Sequence, residues 1–389
     1  MPDYNNFEPG KVIVALNSNF INPHSVAGYT HMLGGIDFES VDIIFQSGKN
    51  DSSIGDIILV HLRSNEKSTV MDAVEALLGS PYVIYAEPSY YIAAHVIPND
   101  QYFDYLWGAK KINSPLAWTY TTGSPRIIVG VTDSGIDHNH PDLHGNMWIS
   151  PDGLNGRNFF NTNQNIGDTT GHGTHVAGTI GAVGNNFIGI TGICWNVKIA
   201  SLRIGHIYMS LSAAIGAIHY ANMHNITILN NSWGGDYYSP LLKFAIEQYN
   251  GLFIASAGND ALDSDYFPDY PASYDSENII SVAATDANDS LTPFSNYGVR
   301  SIDIAAPGID IFSTSLNNGY DYQSGTSMAA PHVAGAAALL KSYIPDLTSL
   351  EIKDIILSSA SKSRNLEGKV LTGGILNVNA MLETAIRKR

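Results

Sequence analysis

Three short polar motifs, far apart in the chain, contain the residue types used in nucleophilic catalysis. Asp133 lies in the motif VTDSG at the end of an apolar segment, His172 lies in GHGTHVAG, and Ser327 lies in GTSMAAP. A serine hydroxyl is a poor nucleophile until a neighbouring imidazole accepts its proton. Taken singly, the serine has the alternative interpretation of a helix N-cap and the aspartate that of a turn residue. Taken together, the three motifs predict a catalytic site.

In the order Asp, His, Ser, these motifs resemble those of the subtilisin-like serine proteases, and the resemblance covers about residues 98–389. It implies that Ser327 attacks the scissile carbonyl, that His172 acts as general base and then general acid, and that Asp133 holds the imidazole. The implied activity is that of a serine endopeptidase, which hydrolyses proteins or peptides through an acyl-enzyme on Ser327.

The same resemblance assigns an oxyanion hole and a substrate pocket. Asn259 resembles the asparagine whose amide stabilises the tetrahedral oxyanion together with the backbone N–H of Ser327. The segment 230–235, NNSWGG, resembles the part of the family whose backbone pairs with an extended peptide. The implied substrate-binding residues are Ser232, Trp233, Gly234 and Gly258. On the opposite side, the segment 205–209 lacks the usual Gly-x-Gly, which leaves the preferences of that side open.

A calcium site is implied by similarity to the thermitase-like branch of the family. Asp100 lies in NDQYF, Asp142 in HPDL, and Asn186 in the loop VGNNFIGI. Carboxylate, amide and backbone oxygens of this kind suit Ca²⁺. The loop is one residue longer than the shortest loops of the family, so Asn185 is an alternative ligand to Asn186. A set of Asx turns without metal is the other interpretation.

Acidic residues dominate the stretch between Lys243 and Arg300, which has nine of them and no basic residue. Four of the nine follow Asn259 closely: Asp260, Asp263, Asp265 and Asp269. The simpler interpretation is a solvated acidic loop. The alternative is a local field that favours cationic residues in the substrate.

The elements that must position these residues follow an α/β pattern from about residue 98. Apolar strands are predicted at 126–132, 197–204, 226–230 and 252–256, and helices at 175–183, 211–224, 241–249 and 332–341. This alternation predicts a doubly wound, mostly parallel sheet with helices on both faces, in a catalytic domain at 96–389. Sites in such sheets lie at the carboxyl ends of the strands.

Residues 1–95 are predicted to form a separate small α+β domain. Strands are predicted at 11–16, 41–46, 56–62 and 82–87, with one helix at 22–33 and another through Val70 and Leu78. This is the order of a split βαβ, ferredoxin-like fold. The domain resembles the inhibitory propeptides of the same family, which implies a self-processing zymogen inhibited by its own propeptide. The implied cut lies near 95–96, with Ile92 as an apolar anchor; a permanent accessory domain is the alternative.

Composition excludes several other classes of protein. The 389 residues include 36 acidic and 20 basic ones, a net charge of −16, which argues against a nucleic-acid partner. With 44% hydrophobic and 14% charged residues the chain is globular, and its longest apolar run is about half the roughly 18 residues that a membrane span needs. One cysteine, Cys194, excludes an internal disulfide. The first residues show no secretory signal, which leaves the compartment open.

Two other functions compete with the protease interpretation. His138, His140, His172 and His175 are close in sequence, which raises the possibility of a metallohydrolase, but there is no His-Glu-x-x-His motif. A protease-like protein without activity, which only binds peptides, would be expected to have lost a member of the Asp, His, Ser set, and none is lost.

Overall fold

A computed structural model of the protein describes residues 7–20, 29, 31–47, 54–91, 96–161 and 163–388. The chain divides into two compact units, Met1–Ala93 and Ala94–Arg389. Most of the helix predicted at 22–33 lies outside the described residues, as do Ile92 and the residue before the predicted cut at 95–96.

The first unit contains a four-stranded antiparallel sheet in the order β2-β3-β1-β4. Alternate residues Val12, Val14 and Leu16 are fully buried and form a core with Val70 and Leu77 of the helix. The α+β prediction for this unit is confirmed. Its elements are β1 (Phe7–Asn17), β2 (Phe38–Phe45), β3 (Ile54–Leu62), α1 (Lys67–Leu78) and β4 (Val83–Tyr90).

The second unit is built on a nine-stranded sheet in the order β14-β15-β11-β10-β9-β8-β5-β7-β6. All neighbouring strands run parallel except β14 and β15. The predicted mostly parallel sheet is therefore confirmed. Its strands are β5 (Gly123–Asp133), β6 (Gly156–Asn158), β7 (Asn196–Arg203), β8 (Ile228–Asn231), β9 (Leu252–Ser256), β10 (Ile279–Thr285), β11 (Ile304–Pro307), β14 (Ser361–Lys362) and β15 (Gly374–Ile375); a separate hairpin pairs β12 (Ile311–Ser315) with β13 (Gly319–Gln323).

Helices cover both faces of this sheet. Along β7, Val197 and Ile199 point into one core, and Ala200 and Leu202 into the other, as the two-residue period of a strand requires. The helices are α2 (Trp107–Lys111), α3 (Ser114–Ala117), α4 (His172–Gly181), α5 (Leu211–Met223), α6 (Pro240–Glu247), α7 (Thr326–Tyr343), α8 (Ser349–Ser358) and α9 (Val378–Arg387). The first core also contains residues of α4, α7, α8 and α9, and the second contains residues of α5 and α6.

Helix α7 begins six residues before the predicted start at His332, so the helical prediction for its N-terminus was wrong. Pro331 lies inside the helix, although a proline usually marks a helix boundary because it lacks an N–H.

None of the helices in the described part of the chain, including the longest one, α7, is both long enough and apolar enough to cross a bilayer.

Candidate active site

Asp133 and His172 form a direct hydrogen-bonded pair. Asp133 is fully buried at the carboxyl end of β5, and His172 is the first residue of α4. His172 Nδ1 lies 2.8 Å from Asp133 Oδ1 and 3.0 Å from Oδ2. An ionised carboxylate only accepts hydrogen bonds, so Nδ1 carries the proton and Nε2 is left as the basic nitrogen.

Two opposing effects set the basicity of His172. Burial lowers its pKa, but the charge and hydrogen bond of Asp133 and the charge of Asp168 raise it by more. The net result is a pKa above the ordinary histidine value. Such an imidazole accepts a proton readily, which is what a general base requires.

A second layer of polar groups, not predicted from the sequence, supports this pair. The hydroxyl of Ser134 lies 3.1 Å from Asp133 Oδ1 and 2.8 Å from Asp168 Oδ1. Asp168 also accepts hydrogen bonds from the backbone N–H and the hydroxyl of Thr174, in the first turn of α4. Burial raises the pKa of Asp168, but the hydrogen bond from the Thr170 N–H and those from Thr174 and Ser134 outweigh burial, and the pKa is lowered. The only sequence signal for Asp168 is its closeness to His172.

Ser327 lies in the first turn of α7 and is held by a reciprocal contact with Ser232. Because Pro331 has no N–H, the Ser327 carbonyl lacks its usual partner four residues later in the helix. The hydroxyl of Ser232 donates to this carbonyl at 2.9 Å, and the hydroxyl of Ser327 donates to the Ser232 carbonyl at 3.2 Å. The Ser232 hydroxyl therefore replaces the helical hydrogen bond that Pro331 cannot donate. The two contacts also join the segment after β8 to the candidate nucleophile.

His172 and Ser327 line the same open cleft, whose volume is about 630 Å³. Among the described residues no hydrogen bond joins the two side chains, since the Ser327 hydroxyl is turned toward Ser232. Catalytic hydrogen bonds are often formed only when substrate is bound. A rotation about the side-chain torsion of Ser327 redirects the hydroxyl and gives up its hydrogen bond to the Ser232 carbonyl, while the Ser232 hydroxyl can keep its bond to the Ser327 carbonyl.

Asn259 lines the cleft, and its side-chain oxygen is held by Thr326. Its Oδ1 accepts hydrogen bonds from the backbone N–H of Thr326 at 2.8 Å and from the Thr326 hydroxyl at 3.1 Å. Since the backbone N–H can only donate, the atom facing it must be the oxygen, and the NH₂ group points the other way. Asn259 lines the cleft together with Ser327, as the oxyanion-hole assignment requires.

The predicted pocket residues are brought together by strand pairing. Strands β8 and β9 are neighbours with Asn231 opposite Ala255, so 232–234 and 257–259 leave the sheet side by side. Ser232, Trp233 and Gly234 line the cleft, whereas Gly258 does not line it and has a φ of +101°. The segment 205–209 closes on itself through a Gly205–Met209 bridge and forms part of the other wall.

The three residues proposed for calcium lie close together, remote from the candidate nucleophile in sequence. Asp142 is fully buried, and burial, together with the charge of Asp100, raises its pKa to about 6. Asp100 is also buried; its Oδ2 accepts from the Asn185 N–H, while its Oδ1 is buried without a hydrogen-bond partner. An orphaned carboxylate oxygen beside a second buried carboxylate fits a bound cation.

Asn186 contacts Asp142 through its nitrogen. Its NH₂ donates to Asp142 Oδ1 at 2.8 Å, and its Oδ1 accepts from the Ile188 N–H. The side-chain oxygen of the alternative residue, Asn185, accepts from the N–H of Asn99. Both asparagine oxygens thus accept hydrogen bonds within the protein, whereas Asp100 Oδ1 has none. The structure therefore supports the two carboxylates as calcium ligands better than either asparagine.

Three of the four clustered histidines face oxygen atoms of the protein. His140 Nε2 faces the Gly319 carbonyl, His175 Nε2 faces the Ile311 carbonyl, and His172 faces Asp133. Burial lowers the pKa of His175 to about 4, which keeps that ring neutral. The described part of the chain contains no group of three or more His, Cys, Asp or Glu residues able to hold a metal.

Comparison with known proteins identifies relatives over most of the second unit. The model of the subtilase family matches residues 124–374. The chain is 38% identical over 314 residues to a thermophilic serine proteinase of Bacillus sp. (strain AK1), covering 79% of this chain and 75% of the relative. It is 38% identical over 251 residues to thermitase of Thermoactinomyces vulgaris, covering 63% of this chain and 85% of the relative.

A solved structure shows the same fold. A protease from Pseudoalteromonas arctica PAMC 21717 superposes with a TM-score of 0.66 at 28% identity, covering 75% of this chain and all of that one. The family model covers more than half of the sequence and includes the segments of Asp133, His172 and Ser327. The chain therefore belongs to the subtilase family and is a subtilisin-like serine endopeptidase.

Proposed function

We propose that this endopeptidase cleaves its protein or peptide substrates through an acyl-enzyme on Ser327. The observation that carries the proposal is the Asp133–His172 hydrogen bond in a cleft that also contains Ser327 and Asn259. The bond fixes the imidazole tautomer that leaves Nε2 free to accept the serine proton.

The proposed mechanism assigns a residue to each step. His172 Nε2 accepts the proton of Ser327 Oγ as that oxygen bonds to the substrate carbonyl carbon, and the carbonyl oxygen takes the negative charge. The Asn259 amide and the Ser327 N–H donate to this oxyanion, and the latter is available because N–H groups in the first helical turn have no partner within the helix. His172 then gives its proton to the leaving amine, and water repeats the sequence to release the acid product.

Replacing the nucleophile tests this assignment. Ser327→Ala should lower kcat by a factor on the order of 10⁶, a magnitude taken over from the loss of the nucleophile in subtilisin. The matched control is Ser324→Ala. Ser324 lies three residues earlier and is exposed, and its hydroxyl accepts a hydrogen bond from the Asp310 N–H. Peptide cleavage should survive in the control. Full activity in Ser327→Ala would refute the assignment.

We further propose that residues 1–95 are an inhibitory propeptide removed by self-cleavage. Supporting this, the first unit has its own sheet and hydrophobic core, and it lies outside the residues matched by the family model. A part with its own core can fold as a unit and be lost without exposing the core of the rest.

Intact-mass spectrometry of wild type and Ser327→Ala, incubated with calcium, tests self-cleavage. Wild type should lose about a quarter of its mass near residue 95, while the variant stays whole. If both stay whole, or if the variant is cut as fast as wild type in the absence of other proteases, the first unit is not a self-processed propeptide.

Finally, we propose that Asp100 and Asp142 hold a structural Ca²⁺, with Asn186 or Asn185 beside them. The ion would supply positive charge to two buried carboxylates and would take no part in bond cleavage. Saturating calcium at 100 times its Kd should stabilise the fold by about 2.7 kcal/mol, visible as a higher Tm. Asp142→Asn should abolish that dependence, whereas the exposed control Glu277→Gln should keep it. A Tm that does not respond to chelation in wild type would exclude the site.

A further inference from the structure

Asp269 lies directly behind Gly234, which lines the cleft, and close to Gly258, which does not. A methyl group added at Gly234 would lie 2.1 Å from Asp269 Oδ1, and one added at Gly258 would lie 3.2 Å from Asp269 Cγ. The carboxyl group therefore occupies the space that Gly234 leaves open and lies close to Gly258, whose own open side is filled mainly by the Asn296 amide. A two-way backbone bridge between Gly235 and Tyr270, at 2.9 and 2.7 Å, holds this arrangement.

This position is within reach of the reacting centre. The carbonyl of Ser232 accepts from the Ser327 hydroxyl, and Gly234 is two residues further, at most about 7 Å of extended chain. On the other side, Gly258 directly precedes Asn259. Asp269 thus lies behind the cleft wall at Gly234, and the segment 232–234 is the one assigned to the pocket for the substrate residue before the scissile bond.

The Asp269 carboxylate has no cationic partner among the described residues. Its Oδ1 is buried without any hydrogen-bond partner. Burial, followed by the negative charge of Asp260 and then that of Asp236, raises the pKa of Asp269 to about 7, against a lowering contribution from the Gly235 N–H. A buried carboxylate in this condition is stabilised by an arriving positive charge.

The nearest basic residues along the chain are already engaged. Lys243 pairs with Glu247 and Asp275, and Arg300 pairs with Asp265. Neither side chain neutralises the pocket.

We propose that Asp269 determines specificity, selecting lysine or arginine as the substrate residue immediately before the cleaved bond. The proposal deepens the protease function and rests on Ser327 being the nucleophile of this cleft. A guanidinium or ammonium group entering the pocket gains a charge-assisted interaction with the Asp269 carboxylate. Asp236, which is exposed and lines the cleft, adds negative charge nearby.

The test uses peptides that differ only in this residue: Arg, Lys, Leu and Glu. In wild type at pH 8, kcat/KM for Arg should exceed that for Leu by about 10- to 100-fold, the range of charge-assisted hydrogen bonds, and Glu should be the poorest. Asp269→Asn should reduce the Arg/Leu ratio to near one while Leu cleavage persists. The control Glu277→Gln removes an exposed charge from the same acidic stretch and should leave the ratio unchanged.

Measuring the Arg/Leu ratio of kcat/KM on wild type at several pH values is a second test, and it does not require any variant to fold. The titration of His172 affects both peptides equally and cancels in the Arg/Leu ratio. Because Asp269 must be ionised to attract the cation, the ratio should fall up to about tenfold as pH drops from 8 to 6 through its pKa.

Each outcome decides the proposal. A wild-type ratio near one, a ratio that Asp269→Asn preserves, or a ratio independent of pH would overturn it. Failure of the protease assignment would look different, since all four peptides would then resist cleavage, or Ser327→Ala would cleave them as well as wild type does.

Discussion

Asp133 and Asp269 are two carboxylates of the same unit in opposite circumstances. Asp133 is fully buried, and its Oδ1 contacts the His172 ring and the backbone N–H and hydroxyl of Ser134. Asp269 has a buried oxygen with no partner. A carboxylate held by several hydrogen bonds can keep one geometry, whereas a carboxylate with one unbonded oxygen is ready for a group that arrives with the substrate. We therefore assign a role in bond cleavage to Asp133 and a role in selecting the substrate residue before the cleaved bond to Asp269.

Loss of the Asp133 charge should produce the largest effect within this comparison. Asp133→Asn should lower kcat by about 10⁴, because an amide no longer enforces the His172 tautomer. The loss should be equal for Arg and Leu peptides, measured as kcat/KM on both. If kcat/KM fell for only one of the two peptides, Asp133 would also affect substrate selection, and its role would not differ from that of Asp269.

The oxyanion donor should give the next largest effect. Asn259→Ala should lower kcat by about 10²–10³, the range that applies to this donor in subtilisin, with little change in KM. The Arg/Leu ratio should again stay constant. A rise in KM with unchanged kcat would instead place Asn259 in ground-state binding.

Asp168 should have a smaller effect, exerted through His172. The charge of Asp168 raises the His172 pKa, and activity requires neutral imidazole, so wild-type kcat/KM should fall as pH drops through a value above 6.5. Asp168→Asn should move this acid limb to lower pH and reduce the plateau by about tenfold, roughly 1.4 kcal/mol. A reduced plateau with an unmoved limb would indicate a structural role only.

Much of the candidate site could be predicted because its residues lie in short contiguous motifs. Asp133, His172, Ser327 and Asn259 each follow a strand or begin a helix within a few residues of a distinctive sequence. Their meeting point follows from the parallel sheet, whose strands end at one edge.

The rest depends on contacts between distant segments. Asp269 stands out in the sequence only as one of nine acids, and its place is fixed by the Gly235–Tyr270 bridge and by two glycines from different loops. The start of α7 could not be read locally either, because Pro331 is accommodated by Ser232, which lies 95 residues before the Ser327 carbonyl that it contacts. Strands β11 and β15 have four and two residues, too few for a hydrophobic period to be recognised.

Covalent labelling with a serine-directed phosphonate tests the central claim most directly. After incubation with calcium, the enzyme should carry one adduct per chain, located by peptide mass spectrometry at Ser327. Ser327→Ala should carry none, Asp133→Asn should label far more slowly, and Asp269→Asn should label with a neutral phosphonate as fast as wild type. An adduct on another residue, or peptide cleavage that continues without any adduct at Ser327, would contradict the account.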